Sequence, residues 1–150
     1  MENRNHVEFI CDSMFGKLAK WLRMAGYSAV YLNGHERKSF IDNLHPAPDQ
    51  ILITGDRKIT GSGSNAFFLD EIYVAKQFDV IKEKFKLDYK NAFSLCMECN
   101  YPLKPAEKEK NREKIPDYVY KNFNEFKVCE KCGRIYWQGS HYQEMMKKLK

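Results

Sequence analysis

His6-Val7-Glu8-Phe9-Ile10-Cys11-Asp12-Ser13-Met14-Phe15-Gly16-Lys17-Leu18-Ala19-Lys20-Trp21-Leu22-Arg23-Met24-Ala25-Gly26 changes its hydrophobic period half-way along. Val7, Phe9, Ile10 and Cys11 read as a short buried strand over residues 6–11. From Phe15 the apolar positions Phe15, Leu18, Ala19 and Leu22 recur at helical spacing, which predicts a helix over 15–25 that Gly26 stops. Further on, Ala29 to Leu32 is a second strand, Lys38 to Leu44 a short weak helix and Ile51 to Thr54 a third strand. Ala66 to Leu69 is a fourth, followed by a helix with Val74, Phe78, Ile81 and Phe85 on one face. The third strand has no polar alternation, so both faces of the sheet should be covered. Strands alternating with helices predict an α/β fold: a layered parallel sheet with helices on both faces.

At 150 residues, 43% hydrophobic and 30% charged, the chain suits one compact domain, or a small domain with a module too small to fold unaided. The apolar pattern lapses at 88–91, and from Phe93 cysteine spacing replaces it. The expected division is therefore an α/β domain over 1–91 and a second module over 92–150, with Lys104 to Lys114 as an exposed mixed-charge loop. No run approaches 18 uncharged apolar residues, and the opening residues carry charge where a signal peptide needs an apolar core. A soluble cytoplasmic protein without membrane contact is expected. Residues 1–90 hold 13 Lys/Arg against 12 Asp/Glu, and residues 91–150 hold 12 against 8, so the basic excess lies in the second module. That mild excess suits a polyanionic partner, and equally a solvated lysine-rich surface.

Cys96-Met-Glu-Cys99 and Cys129-Glu-Lys-Cys132 are two C-x-x-C knuckles 29 residues apart. Each bends the backbone so that two sulfurs converge, and two knuckles complete a closed tetrahedral shell for structural Zn²⁺. Gly133 lets the chain curl beside Cys132. A redox dithiol or an iron-sulfur cluster are the alternatives. Cys11, alone in an apolar strand, reads as a buried core thiol.

Three acids follow strands: Asp12 after the first, Asp56 two residues after the third, Asp70 at the end of the fourth. In a parallel sheet these exits share the carboxyl edge, where open α/β sheets bind ligands. Clustered carboxylates repel unless a cation joins them, which points to Mg²⁺ or Mn²⁺ and to phosphodiester hydrolysis. Each acid also has a plainer role, Asp12 and Asp70 as helix caps and Asp56 as a turn residue. Lys17, Arg57 and Lys58 lie where they would meet a phosphate chain. Lys20 and Arg23 continue the series from Lys17 but read more simply as the polar face of the first helix. Gly16-Lys17 lacks the remaining residues of a phosphate-binding loop. Tyr136, Trp137 and Tyr142 around His141 suit base stacking or, more simply, the core of a small ribbon. Ser140 and His141 are adjacent in sequence and lack an orienting acid, so they do not form a nucleophilic pair. His6, His35 and His45 give no metal spacing.

The run from Cys11 to Tyr27 resembles the opening of the Mut-seven C-terminal RNase family, a PIN-like nuclease fold with a C-terminal zinc ribbon. Ile51-Leu52-Ile53-Thr54-Gly55-Asp56-Arg57 is similar to its second signature. The two knuckles with Ile115-Pro116 between them, then Tyr136-Trp137-Gln138-Gly139-Ser140-His141, resemble its third. The resemblance runs from about residue 7 to 149. It implies metal-dependent RNA cleavage, with Asp12 and Asp56 at the best-matching acidic positions. Gly55 stands where an arginine is usual, and Gly34-His35-Glu36 replaces an acidic pair, leaving Glu36 or Asp42 as substitutes. The expected function is a metal-dependent ribonuclease with Asp12, Asp56 and Asp70 as catalytic acids and a zinc ribbon aiding RNA binding. A non-catalytic RNA-binding or ribosome-associated adaptor of the same fold is the alternative, and a DNA-directed nuclease a more distant one.

Overall fold

The computed structural model describes residues 7–42, 49–60 and 65–150. Four strands, β1 (Glu8–Cys11), β2 (Ala29–Tyr31), β3 (Gln50–Thr54) and β4 (Ala66–Phe68), form an all-parallel sheet in the order β2-β1-β3-β4. The helices between and after them are α1 (Gly16–Met24), α2 (Gly34–Asp42), the single-turn α3 (Arg57–Thr60) and α4 (Val74–Phe85). Pairing in register sets Ile10 beside Val30 and Leu52, and Cys11 beside Tyr31 and Ile53.

Strand side chains alternate between faces, so the continuous apolar runs feed two cores. Phe9, Cys11, Ala29 and Ile53 are buried with Leu18, Leu22, Phe78 and Ile81 of α1 and α4. On the other face Ile10, Leu32 and Leu52 pack with Ile59, Phe40 and Ile41 of α3 and α2. The expected layered parallel fold is thus present.

Two elements differ from expectation in their extent. Helix α2 starts at Gly34 rather than Lys38, because the Asn33 carboxamide oxygen accepts from the N–H groups of His35 (3.1 Å) and Glu36 (2.9 Å) and caps it earlier. Between β3 and β4, where the expected order has no helix, the chain forms the single-turn α3; residues 61–64 lie outside the described residues, as do residues 43 and 44 of the expected short helix and His6 and His45.

The second module holds β5 (Lys104–Ala106), α5 (Asp117–Asn122), β6 (Phe126–Val128) and β7 (Ile135–Tyr136), with an antiparallel sheet ordered β5-β6-β7. The start of the expected exposed loop thus pairs as β5; Pro105 is tolerated there because β5 is an edge strand. Ile115, Val119 and Phe126 make a small separate core.

The chain then leaves the ribbon as α6 (Ser140–Leu149) and returns to the main core, where Tyr142, Met145 and Leu149 are buried with residues of β1 and α1. The Tyr142 ring packs edge-on to Phe93 at 5.3 Å between centroids. Phe93 and α6 of the second module therefore share the main core, while the small core around Ile115 stays apart. The seam is tight at Gly26 (φ +92°), where a Cβ would run into the Asn91 carbonyl, and Phe93 N–H donates to the Met24 carbonyl at 3.0 Å. No described helix is long and apolar enough to cross a membrane.

Candidate functional site at the carboxyl edge

From β1 the chain passes through α1 to β2 on one side, then crosses through α2 to β3 on the other. The exits of β1 and β3 therefore diverge at a topological switch point, the usual ligand position in an open α/β sheet. Asp12 directly follows β1, and Asp56 lies two residues beyond β3.

Asp12 is 1% exposed, and both of its carboxylate oxygens accept hydrogen bonds. Oδ1 accepts from Ser13 N–H (2.7 Å) and Arg37 Nε (2.6 Å), and Oδ2 accepts from the Thr54 hydroxyl (2.6 Å). Burial pushes the Asp12 carboxyl upward, but the Thr54 hydroxyl, the Arg37 guanidinium and the Ser13 N–H together hold it below the usual carboxylate value. The same ion pair raises Arg37 above the ordinary arginine value. Arg37 reaches further, with Nη2 3.4 Å from Asp56 Oδ2. Asp56 also accepts from Lys58 N–H through Oδ1 at 3.0 Å, and its own N–H donates to Thr54 Oγ1 at 3.1 Å. Thr54 thus sits between the two acids, and Arg37 spans them.

Asp12, expected to cap the first helix, caps the 3₁₀ turn Ser13–Phe15 that leads into it, and Asp56, expected as a turn residue, accepts from the first turn of α3. Asp70 is exposed, and among the described residues it makes no hydrogen bond or ion pair; α4 starts after Tyr73 with no side-chain cap. Glu36 is exposed and accepts from Asn33 N–H at 3.5 Å, closing a capping box at the start of α2. The side chain of Asp42 lies outside the described residues.

Among the basic residues, Lys17 and Lys58 are exposed, and the Arg57 guanidinium lies over the Phe68 ring at 4.1 Å. Lys20 pairs with Glu98 at 3.0 Å. Arg23 is buried: Nε donates to the Ala29 carbonyl (2.8 Å) and Nη1 to the Met97 carbonyl (2.6 Å), tying the first knuckle to β2. The simpler reading fits Lys20, whereas Arg23, expected on the polar face of the helix, is instead buried where two carbonyls need a donor. Arg37 escaped the sequence reading. Its signal was Asn33-x-x-Glu36, a capping box that starts α2 early enough to bring Arg37 within its first turn.

The four sulfurs of Cys96, Cys99, Cys129 and Cys132 lie within 4.8 Å of one another. Cys96 Sγ and Cys132 Sγ are 3.8 Å apart, and a tetrahedral site with Zn–S bonds of about 2.3 Å has sulfur–sulfur edges of about 3.8 Å. The residues after the knuckles, Asn100 (φ +58°) and Gly133 (φ +79°), are left-handed, and their N–H groups return to the Cys96 and Cys129 carbonyls. The donor set fits a metal such as zinc. Cys11, by contrast, is sealed in the sheet, and burial pushes its thiol up to about 12.

For Mg²⁺ or Mn²⁺ the donors at the edge are of the right kind, two carboxylates and a hydroxyl, all hard oxygen ligands. Among the described residues, however, the group of metal-type ligands drawn together is the cysteine set, and the carboxylates hold Arg37 between them.

The aromatic residues near His141 have structural roles. Trp137 packs on Phe126, the Tyr136 hydroxyl lies 2.9 Å from Cys96 Sγ, and Tyr142 belongs to the main core. A mainly apolar cleft of about 440 Å³ opens on the ribbon side, against Met24, Phe93, Met97, Trp137 and Tyr142; none of the three acids lines it.

No curated protein and no solved structure matches the chain. The family model of the Mut7-C RNAse domain matches residues 7–149, covering the carboxyl edge, both knuckles and α6, and the protein belongs to that family.

Proposed function

We infer that the protein is a metal-dependent ribonuclease that hydrolyses RNA phosphodiester bonds at the carboxyl edge. The observation carrying this reading is the meeting of Asp12 and Asp56 at the β1/β3 exits around one shared cation. A bound Mg²⁺ or Mn²⁺ would supply a Lewis acid that activates water and neutralises phosphate charge. Asp12 and Asp56 would hold it, with Thr54 fixing the orientation of Asp12, and Asp70 would join from the neighbouring strand end. Lys17, Arg57 and Lys58 would track the phosphate chain, and the ribbon would add RNA-binding surface, its Zn²⁺ purely structural.

Arg37 itself favours a second reading, a non-catalytic RNA-binding or ribosome-associated adaptor, because it already partly neutralises the carboxylate pair. One comparison separates the two. Wild type should cleave single-stranded RNA only with added Mg²⁺ or Mn²⁺, and Asp12→Asn should lower that rate by orders of magnitude while the fold and RNA affinity persist. If wild type binds RNA but never cleaves it with metal, the adaptor reading replaces the nuclease. If Asp12→Asn cleaves like wild type, Asp12 serves only as the cap of the 3₁₀ turn, since Asn caps nearly as well.

A further inference from the structure

We propose that Arg37 is a built-in counter-ion that competes with divalent cations for Asp12 and Asp56, so that the pair takes up metal only as the guanidinium swings away. The inference rests on the ribonuclease reading and adds a control on its metal site.

The two acids carry a charge of −2, and one guanidinium leaves −1, so the edge still attracts a dication. Both cations cannot occupy it together. Both lone pairs of Asp12 Oδ1 are taken, one by Ser13 N–H and one by Arg37 Nε at 2.6 Å. A metal bound to that oxygen at about 2.1 Å would overlap the guanidinium. Oδ2 already accepts from the Thr54 hydroxyl, and Asp12 is 1% exposed, so a metal reaches this carboxylate only once a covering side chain moves.

The partner that can move is Arg37. Its side chain is 28% exposed, and its helix anchors to the sheet through the half-buried Phe40 and Ile41. Asp12 is held by a backbone N–H and by β3. The contact to Asp56 at 3.4 Å is also looser than the one to Asp12, so release begins on the Asp56 side. Arginine keeps its charge at every working pH, so competition for the same oxygens, rather than titration, sets metal uptake.

Mn²⁺ binding to the full chain at neutral pH, followed by calorimetry and by electron paramagnetic resonance, tests this directly. Arg37→Met keeps the aliphatic stem and removes the charge. It should bind Mn²⁺ about ten- to a hundred-fold tighter than wild type, the worth of a hydrogen-bonded charge pair, and adding Asp12→Asn should abolish the gain. A second measurement uses wild type alone and so does not depend on the variant folding. In a titration with Mg²⁺, the NMR signal of Arg37 Nε–H should shift with the same midpoint as cation binding. Equal Mn²⁺ affinities in wild type and folded Arg37→Met, both lost on Asp12→Asn, would overturn the competition and leave the ribonuclease reading standing. An Arg37 signal unmoved at saturating Mg²⁺ would do the same. No divalent cation bound by either protein would overturn both.

Discussion

The ribbon and the carboxyl edge each gather groups of like charge, and they balance them by opposite means. At the ribbon the sulfurs are partnered by one another, by backbone N–H groups and by the Tyr136 hydroxyl, so four thiolates would need an external cation. At the edge the chain supplies its own cation, Arg37. A site without an internal counter-ion stays locked around its metal, and one with a counter-ion can exchange. The first arrangement suits structure and the second suits function.

Metal removal should have the largest effect, and it should fall on the ribbon. Structural zinc in small four-ligand sites contributes about 10 kcal/mol or more to folding. Purified protein should contain one zinc per chain, and Cys129→Ser or a strong chelator should unfold the ribbon. Because Arg23 holds the Met97 carbonyl and the Asn100 carboxamide holds Ser28 and Ala29, the loss should spread to the edge of the main sheet. Elemental analysis, with thermal melting before and after chelation, checks both parts. Protein free of zinc that melts unchanged would erase the contrast drawn above.

Much of the fold was legible in the sequence because its signals are local. The β1-to-α1 change of period, the unbroken Ile51 to Thr54 run and the paired C-x-x-C knuckles each act within a few residues, and each forms where expected. What stayed hidden depends on distant partners. Arg37 looks like one more charge just ahead of a weak helix until the crossover from β2 to β3 carries it over the exits of β1 and β3. Helix α6 has the same amphipathic pattern whether it caps the ribbon or returns to β1 and α1; only the path of the chain after β7 decides. The buried place of Arg23 was equally invisible, since the Met97 carbonyl that it serves lies 74 residues away.

That path packs α6 into the main core, which should make the two regions unfold as one cooperative unit, and single substitutions measure how strongly. Met145, fully buried in the main core although it follows the ribbon, should cost about 2 to 5 kcal/mol when cut to Ala. Arg23→Met, which strips the buried Ala29 carbonyl and the half-buried Met97 carbonyl of their donor, should cost about 1 to 3 kcal/mol for each carbonyl left unpaired. Denaturant unfolding followed separately by a core probe and a ribbon probe should give coincident transitions in wild type. Two separated transitions would support the division at residue 92 and confine α6 to a docking role.

Acid should weaken the edge only below the ordinary carboxylate range. The Asp12 carboxyl lies below its ordinary value of 3.8 in the folded state, so its ion pair contributes stability that is full above about pH 4 and is lost as pH falls through the lower folded value. Asp12→Asn should flatten the decline of stability below pH 4. An identical acid limb in the variant would mean that Asp12 gains nothing from Arg37 and Thr54.

The smallest effect separates the two regions along α1 itself, where Lys17 and Lys20 lie one turn apart. Lys20 is tied to Glu98 of the first knuckle at 3.0 Å, whereas Lys17 is exposed near the carboxyl edge. Both side chains of the Lys20 pair are well exposed, so Lys20→Met should change stability by no more than about 1 kcal/mol, and by less in high salt. RNA binding should discriminate more sharply. A lysine that contacts phosphate lowers the slope of log affinity against log salt by about 1 when it is removed, whatever the RNA sequence. Lys17→Met should show that drop. Lys20→Met should leave the slope nearly intact, since its charge is already spent on Glu98. Equal losses at both positions would mean that RNA runs along the whole of α1 and over the ribbon seam, and the edge and the ribbon would then be one binding surface rather than two regions with separate tasks.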